Sequence, residues 1–213
     1  DTRVFDGVDV TVNVRGIRGF TFSGGTSTGK VVNDFCEIRA NVPERMFFGA
    51  NLFLNPYCHQ ESPWQTAFRA LATYTIPRID VLVSGVYQDK PNVGTDQITS
   101  LLANYTLTPA DQAAAAAQIG RPLTTPAASL TVNLLAPGEV YGPRIRQLDL
   151  SVKKVLRFGS SQRLTVGVDF YNLANNNVTL AFNPTFIPNA PGWQAPTSYM
   201  NPRVYRLNAE YAW

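Results

Sequence analysis

The chain has 213 residues, enough for one domain of ordinary size, and a net charge of +3. Its basic residues form nothing longer than pairs such as Lys153-Lys154, which excludes the charge footprint of a nucleic-acid partner. Charged residues make up only 15%, against about 25% in an average soluble domain, while hydrophobic residues reach 45% and aromatic residues 11%. No stretch approaches the roughly 20 apolar residues of a membrane helix. Asp1-Thr2-Arg3-Val4-Phe5 lacks the basic start and apolar centre of a signal peptide, so the expectation is a mature chain or a piece of a longer one. This composition suits a β-rich soluble domain or part of a transmembrane barrel.

In chain order, alternation is the dominant pattern. Val8, Val10, Val12 and Val14 interleave with Asp9, Thr11, Asn13 and Arg15, which predicts a strand with one apolar and one polar face. Phe20 and Phe22 open a second strand that fades through Gly24-Gly25. A third runs through Phe68, Ala70, Ala72, Tyr74 and Ile76, and a fourth through Ile79, Val81, Val83 and Tyr87. Thr108-Pro109-Ala110-Asp111 predicts a helix start: Thr108 can cap, Pro109 suits the first turn and Asp111 can complete a capping box. An alanine run, Ala113 to Ala117, follows, and Gly120 is a natural stop. Ser129–Leu135 reads as a short strand inside the same long connection. Leu148, Leu150, Val152, Leu156 and Phe158 then mark a fifth long strand, Leu164, Val166, Val168 and Phe170 a sixth, and Tyr205, Leu207, Ala209, Tyr211 and Trp213 a seventh.

Each of these seven strands is about ten residues or more, the length a tilted strand needs to cross a bilayer, whereas ordinary strands are commonly about five or six residues. The connections alternate in length. Those near Gly16–Gly19, Pro77–Arg78 and Gly159–Gln162 are tight, and those at Val32–Trp64, Asp89–Pro143 and Asn175–Pro202 are long. A soluble meander has no reason to gather every long loop at one end. Outer-membrane barrels do, with short periplasmic turns and long extracellular loops. The predicted fold class is therefore all-β, an antiparallel portion of a transmembrane β-barrel with one short loop helix.

Few residues suggest chemistry. Cys36 and Cys58 are even in number and close in sequence, which suits a disulfide in an oxidising compartment. The alternatives are free thiols and a metal site, although His59 is the one histidine and a structural zinc needs four ligands. A disulfide here would close a long loop, worth about 3 kcal/mol through the entropy of the unfolded chain. Gly24-Gly25-Thr26-Ser27-Thr28-Gly29-Lys30 superficially resembles a phosphate loop, but Val31 follows Lys30 where the motif needs Ser or Thr. Asp149, Lys153, Asp169, Arg206 and Glu210 fall on the polar faces of the last three strands, where mutual pairing in a lumen is a simpler reading than acid–base catalysis. Lys154 falls on an apolar face close to a tight turn, from which it can snorkel. Phe20, Phe22, Tyr74, Phe158, Tyr211 and Trp213 gather at that same end, as an aromatic girdle would. No catalytic residue, cofactor or metal site is expected.

Alternate apolar residues ending on an aromatic, here Tyr205, Leu207, Tyr211 and Trp213, resemble the assembly signal of outer-membrane barrels, which the barrel assembly machinery reads. A narrower resemblance runs along the whole chain. Asn33-Asp34-Phe35-Cys36, Pro56-Tyr57-Cys58-His59, Tyr74-Thr75-Ile76-Pro77 and Gly120-Arg121-Pro122-Leu123 carry it, with the Gly24–Lys30 run before them. So do Thr131-Val132-Asn133-Leu134, Gly138-Glu139-Val140-Tyr141-Gly142, Asp169-Phe170-Tyr171-Asn172-Leu173 and Trp193-Gln194-Ala195-Pro196-Thr197-Ser198. Together they resemble the late barrel region of TonB-dependent receptors, of the Oar-like, carboxypeptidase-regulatory-like type found in acidobacteria-like soil bacteria.

That resemblance implies a bacterial outer-membrane location and a barrel of about 22 strands around a plug. It further implies energy coupling through TonB by a part of the receptor that this chain lacks. Seven strands cannot close a barrel, because bacterial barrels have an even number from about eight upward. The chain is thus expected to be wall and loops, with the rest of the barrel, the plug, outer-membrane lipid and an unidentified imported ligand as partners. Tyr57, Trp64, Tyr105, Tyr141 and Trp193, aromatic residues in the long connections, are the candidate ligand contacts. A non-transporting surface β-protein with a structural or adhesive role is the competing expectation.

Overall fold

The computed structural model describes residues 2–41, 57–92, 101–122, 131–159 and 162–213. Seven long strands form one antiparallel sheet: β1 (Thr2–Ile17), β2 (Phe20–Asp34), β4 (Gln65–Ile76), β5 (Val81–Asn92), β8 (Gly142–Phe158), β9 (Gln162–Tyr171) and β12 (Val204–Ala212). Each pairs with its neighbours in chain order, and a short β3 (His59–Glu61) adds to the end of β2. The long connections carry α1 (Cys36–Asn41), β6 (Asn104–Thr106), α2 (Pro109–Ile119), β7 (Thr131–Asn133), β10 (Thr179–Phe182) and β11 (Pro196–Tyr199). The fold is all-β. Among the described residues the sheet does not close, since β1 pairs only with β2 and β12 only with β9.

Several expectations shift in detail. Ile79 lies in the turn before β5, not in the strand. The second strand does not fade at Gly24-Gly25; β2 continues to Asp34, paired on one side with β1 and on the other with β4. Gly25 shows why small residues serve there. A Cβ on Gly25 would lie 2.3 Å from the Val10 carbonyl oxygen, so the strands approach too closely for any side chain. The short strand expected at Ser129–Leu135 is β7; it pairs with β6 and leaves the up-and-down order of the long strands intact. Ser129 itself lies outside the described residues. The predicted helix is α2, with the Thr108–Asp111 capping box formed and Gly120 left-handed at its end. The sequence reading missed α1, β3, β6, β10 and β11.

Because the long strands are antiparallel and consecutive, every tight turn lies at one end of the sheet and every long connection at the other. Strand ends are also staggered in one sense. One row of paired residues runs Val14, Phe22, Ala72, Gly85, Leu150, Phe170, Tyr205. Toward the turns, β12 runs on from that row to Ala212 and β1 only to Ile17; toward the loops, β1 reaches Thr2 and β12 only Val204. Such stagger is what tilted strands produce.

Among the described residues the buried hydrophobic side chains are Val31 and Ala103, both near the loop end, and the sheet has no packed core. The close approach at Gly25 predicts that Gly25→Ala destabilises the protein by about 1–3 kcal/mol through overpacking. Gly85→Ala, whose Cβ would meet nothing nearer than 3.7 Å, should be close to neutral. Thermal unfolding of both variants checks the contrast, and equal effects would show that the β1–β2 approach is not tight.

Candidate functional site

Residues paired across an antiparallel ladder project to the same face, so the register defines two surfaces. On one lie Val8 to Val14, Phe20 and Phe22, Phe68 to Ile76, Val81 to Tyr87, Leu148 to Phe158, Leu164 to Phe170, and Tyr205 to Tyr211, each at alternate positions. This largely apolar face crosses all seven strands, with Gly24, Thr26 and Thr28 on β2 and Lys154 on β8 among its small or polar members. Little covers it: Leu207 is 83% exposed and Trp213 88%, and Val8, Val10, Val12, Phe68, Tyr74, Leu156, Phe158 and Tyr205 are exposed as well. Toward the loops it ends at charge, with Asp6 opposite Lys30 and Asp89 bonded to Arg144 and Arg146. On β8 it is interrupted by Lys154, whose amine donates to the Ile79 carbonyl, and resumes at Leu156 and Phe158 before the turn.

The opposite face is polar and tied by side-chain hydrogen bonds. Asp169, only 6% exposed, accepts from Ser151 Oγ at 2.5 Å, Arg206 Nη2 at 2.8 Å and Asn208 Nδ2 at 3.0 Å. Asp149 accepts from the Gln147 amide at 2.9 Å and the Asn172 backbone N–H at 2.8 Å. Gln88 donates to Gln147 at 2.9 Å. These bonds give Asp149 and Asp169 donors on this face. A groove of about 670 Å³ on the β1–β2–β4 part of the sheet is lined by Asp9, Thr11, Ser23, Ser27 and Arg69.

At the loop end, the connections bind one another. Cys36 and Cys58 form a disulfide, Cα–Cα 4.8 Å, which joins the start of α1 to the residue before β3. Beside it His59 Nδ1 lies 3.0 Å from Asp34 Oδ2. Ser62 and Val31 exchange two bonds, Ser62 N–H to the Val31 carbonyl and Val31 N–H to Ser62 Oγ. The β5–β8 and β9–β12 connections interlock through Asn104 N–H on the Pro184 carbonyl at 2.7 Å and Phe186 N–H on the Asn104 carbonyl at 2.9 Å. The Ala103 N–H donates to Asn133 Oδ1.

The candidate ligand residues divide on this geometry. Trp193 donates from Nε1 to the Leu102 carbonyl at 3.0 Å and meets Phe186 edge to face, so it fastens one loop to another. Tyr105 donates to Asp111 Oδ2 at 2.6 Å. Asp111 also accepts from the Thr108 hydroxyl and backbone, and these donors, led by that hydroxyl, hold its carboxyl below the ordinary 3.8; the same carboxylate raises the Tyr105 hydroxyl. Tyr141 is half-buried beside Gly138, near the Glu61 carbonyl and Pro63. Tyr57 is half-buried and its carbonyl accepts from Gln60. Trp64 is 57% exposed, with Lys30 Nζ 6.0 Å from its ring centre. Trp193 docks on Leu102, in the segment that also carries Tyr105, whereas Trp64 and Tyr57 belong to the disulfide-bearing loop.

No family model, curated protein or solved structure matches the chain.

The tie from Trp193 to Leu102 predicts that Trp193→Ala loosens both loops together. Limited proteolysis should then cut near residues 102–105 and 184–195 several times faster. Acceleration in the 184–195 segment alone would mean that the two loops do not support each other.

Proposed function

We propose that this chain is the carboxy-terminal part of the wall and extracellular loops of an outer-membrane barrel, in a TonB-dependent receptor that imports a ligand. The observation that carries the reading is the apolar face that continues across all seven strands and is left largely uncovered by the described residues. In water such a surface would be an aggregation hazard far larger than the patches soluble monomers expose. In a bilayer it is the lipid-facing surface.

Its height fits. On β8 the face runs from Leu148 to Phe158, apolar except at Lys154, about 33 Å along a strand at 3.3 Å per residue, or about 25 Å once tilted by about 40°. That is the thickness of a barrel's apolar band. The polar face then lines the lumen, where Asp169, Arg206, Asn208 and the groove around Arg69 meet water and the receptor's plug. The two open edges, at β1 and β12, join the remaining strands of the barrel. Tyr205, Leu207, Tyr211 and Trp213 serve as the assembly signal for the barrel assembly machinery. In the loops, Trp64 and Tyr57 are the better candidates to touch a ligand, while Tyr105, Tyr141 and Trp193 hold the loop layer that presents it.

Leu207 and Asn208 are adjacent and on opposite faces, which makes the test sharp. In the full-length protein, Leu207→Arg should sharply lower insertion, because an arginine near the lipid midplane costs about 2–4 kcal/mol. Asn208→Arg should insert normally, since it faces polar groups and Asp169. Deletion of Trp213 should also reduce insertion, measured by heat-modifiable mobility. Normal insertion of both Leu207→Arg and the Trp213 deletion would end the barrel reading.

A further inference from the structure

The tight-turn end of the sheet concentrates positive charge. Arg15, Arg18, Arg78, Lys154, Arg157 and Arg163 gather there among the described residues, against Asp80 and Glu210. Arg157 Nε is 3.2 Å from Asp80 Oδ2, whereas Arg15, Arg18, Arg78 and Arg163 have no ion pair or side-chain hydrogen bond among the described residues. The two turn arginines are unusual in a second way. Arg18 has φ +49° and Arg78 φ +74°, the left-handed region where a long side chain is disfavoured and where Gly or Asn is the ordinary occupant of a hairpin turn. Asparagine would suit both turns, so the turn geometry itself does not call for a guanidinium at either position. On the apolar face at the same end stand Phe20, Tyr74, Phe158, Tyr211 and Trp213. A ring of aromatics with basic groups just beyond it is the arrangement that sits at the headgroup level of a bilayer.

We propose that this end is a docking surface for anionic phospholipid, with Arg18 and Arg78 as ligands for headgroup phosphates of the leaflet that the turns face. The inference rests on the membrane-barrel reading. Guanidinium forks match phosphate oxygens in a bidentate manner, and the aromatic rings fix the depth at which the arginines meet them. The Lys154 amine, drawn from the apolar face to the Ile79 carbonyl, adds to the same positive rim.

The test compares the full-length wild-type protein with its double variant Arg18→Asn, Arg78→Asn, a change that suits both turns and therefore preserves folding. Each is exchanged into vesicles of phosphatidylcholine alone and of phosphatidylcholine mixed with phosphatidylglycerol, and the lipid retained after mild detergent extraction is weighed by native mass spectrometry. Wild type should enrich phosphatidylglycerol over its bulk share by about fivefold, the change expected of one basic side chain near an anionic surface, and added salt should reduce the enrichment. The double variant should insert as well as wild type and lose most of that preference. Normal insertion of both proteins with equal phosphatidylglycerol retention would overturn the lipid proposal while leaving the barrel standing. Failure of wild type to insert into either vesicle would overturn the barrel reading and this proposal with it.

Discussion

The whole arrangement depends on strand register. Side chains alternate with a period of two, so a slip of one residue in any of the six long pairings would turn one strand's apolar set to the polar side. No such slip occurs along the body of the sheet; the irregularities of register lie at strand ends, between Val14 and Ile17 of β1 and between Lys90 and Asn92 of β5. From Tyr205 through Phe170, Leu150, Gly85, Ala72 and Phe22 to Val14 the row stays on one face. The polar side helps fix this register. Asp169 binds Ser151 on one neighbouring strand and Arg206 and Asn208 on the other, so a slip of β8 or β12 would leave a carboxylate without donors. Toward the other edge, where Gly24, Gly25 and Gly29 carry no side chains, the Ser23–Asn13 and Thr28–Thr66 hydrogen bonds and close backbone approach take over the same role.

This division of labour explains why the sheet lacks a core of its own. In a soluble sandwich the apolar face would be covered by a second layer, and the strands would be short. Here the strands are long, the apolar face is bare, and the buried side chains are mainly polar ones, such as Gln60, Ser62, Asn133, Asp169 and Asn172. Stability comes from ladders, from polar ties on one face, and from a loop layer held by the Cys36–Cys58 disulfide and the Trp193–Leu102 bond. In the proposed setting the bilayer supplies the missing second layer.

What the sequence revealed follows from how local each feature is. Six of the seven long strands were legible from alternation, and α2 from Thr108, Asp111 and Gly120, because each pattern is complete within a short window. The outer half of β2 was not, since Gly24 to Lys30 offers no apolar alternation and is held as strand by neighbours on both sides. The pairing of β6 with β7 and the seat of Trp193 on Leu102 join residues far apart in the chain, and composition carries no trace of them. The basic rim escaped for the same reason. Arg18, Arg78 and Arg157 never form a run in the sequence, and only strand direction brings them to one end.

In the proposed barrel wall the two ends of this sheet lie on opposite sides of the membrane. Asn189 belongs to the β9–β12 loop connection and Gln162 opens β9 beside a tight turn. With a cysteine at either position in the full-length protein, a membrane-impermeant thiol reagent on intact cells should label position 189. Position 162 should react only after the outer membrane has been opened. Equal labelling of both positions on intact cells, or labelling of 162 alone, would rule out a membrane-spanning sheet in this orientation.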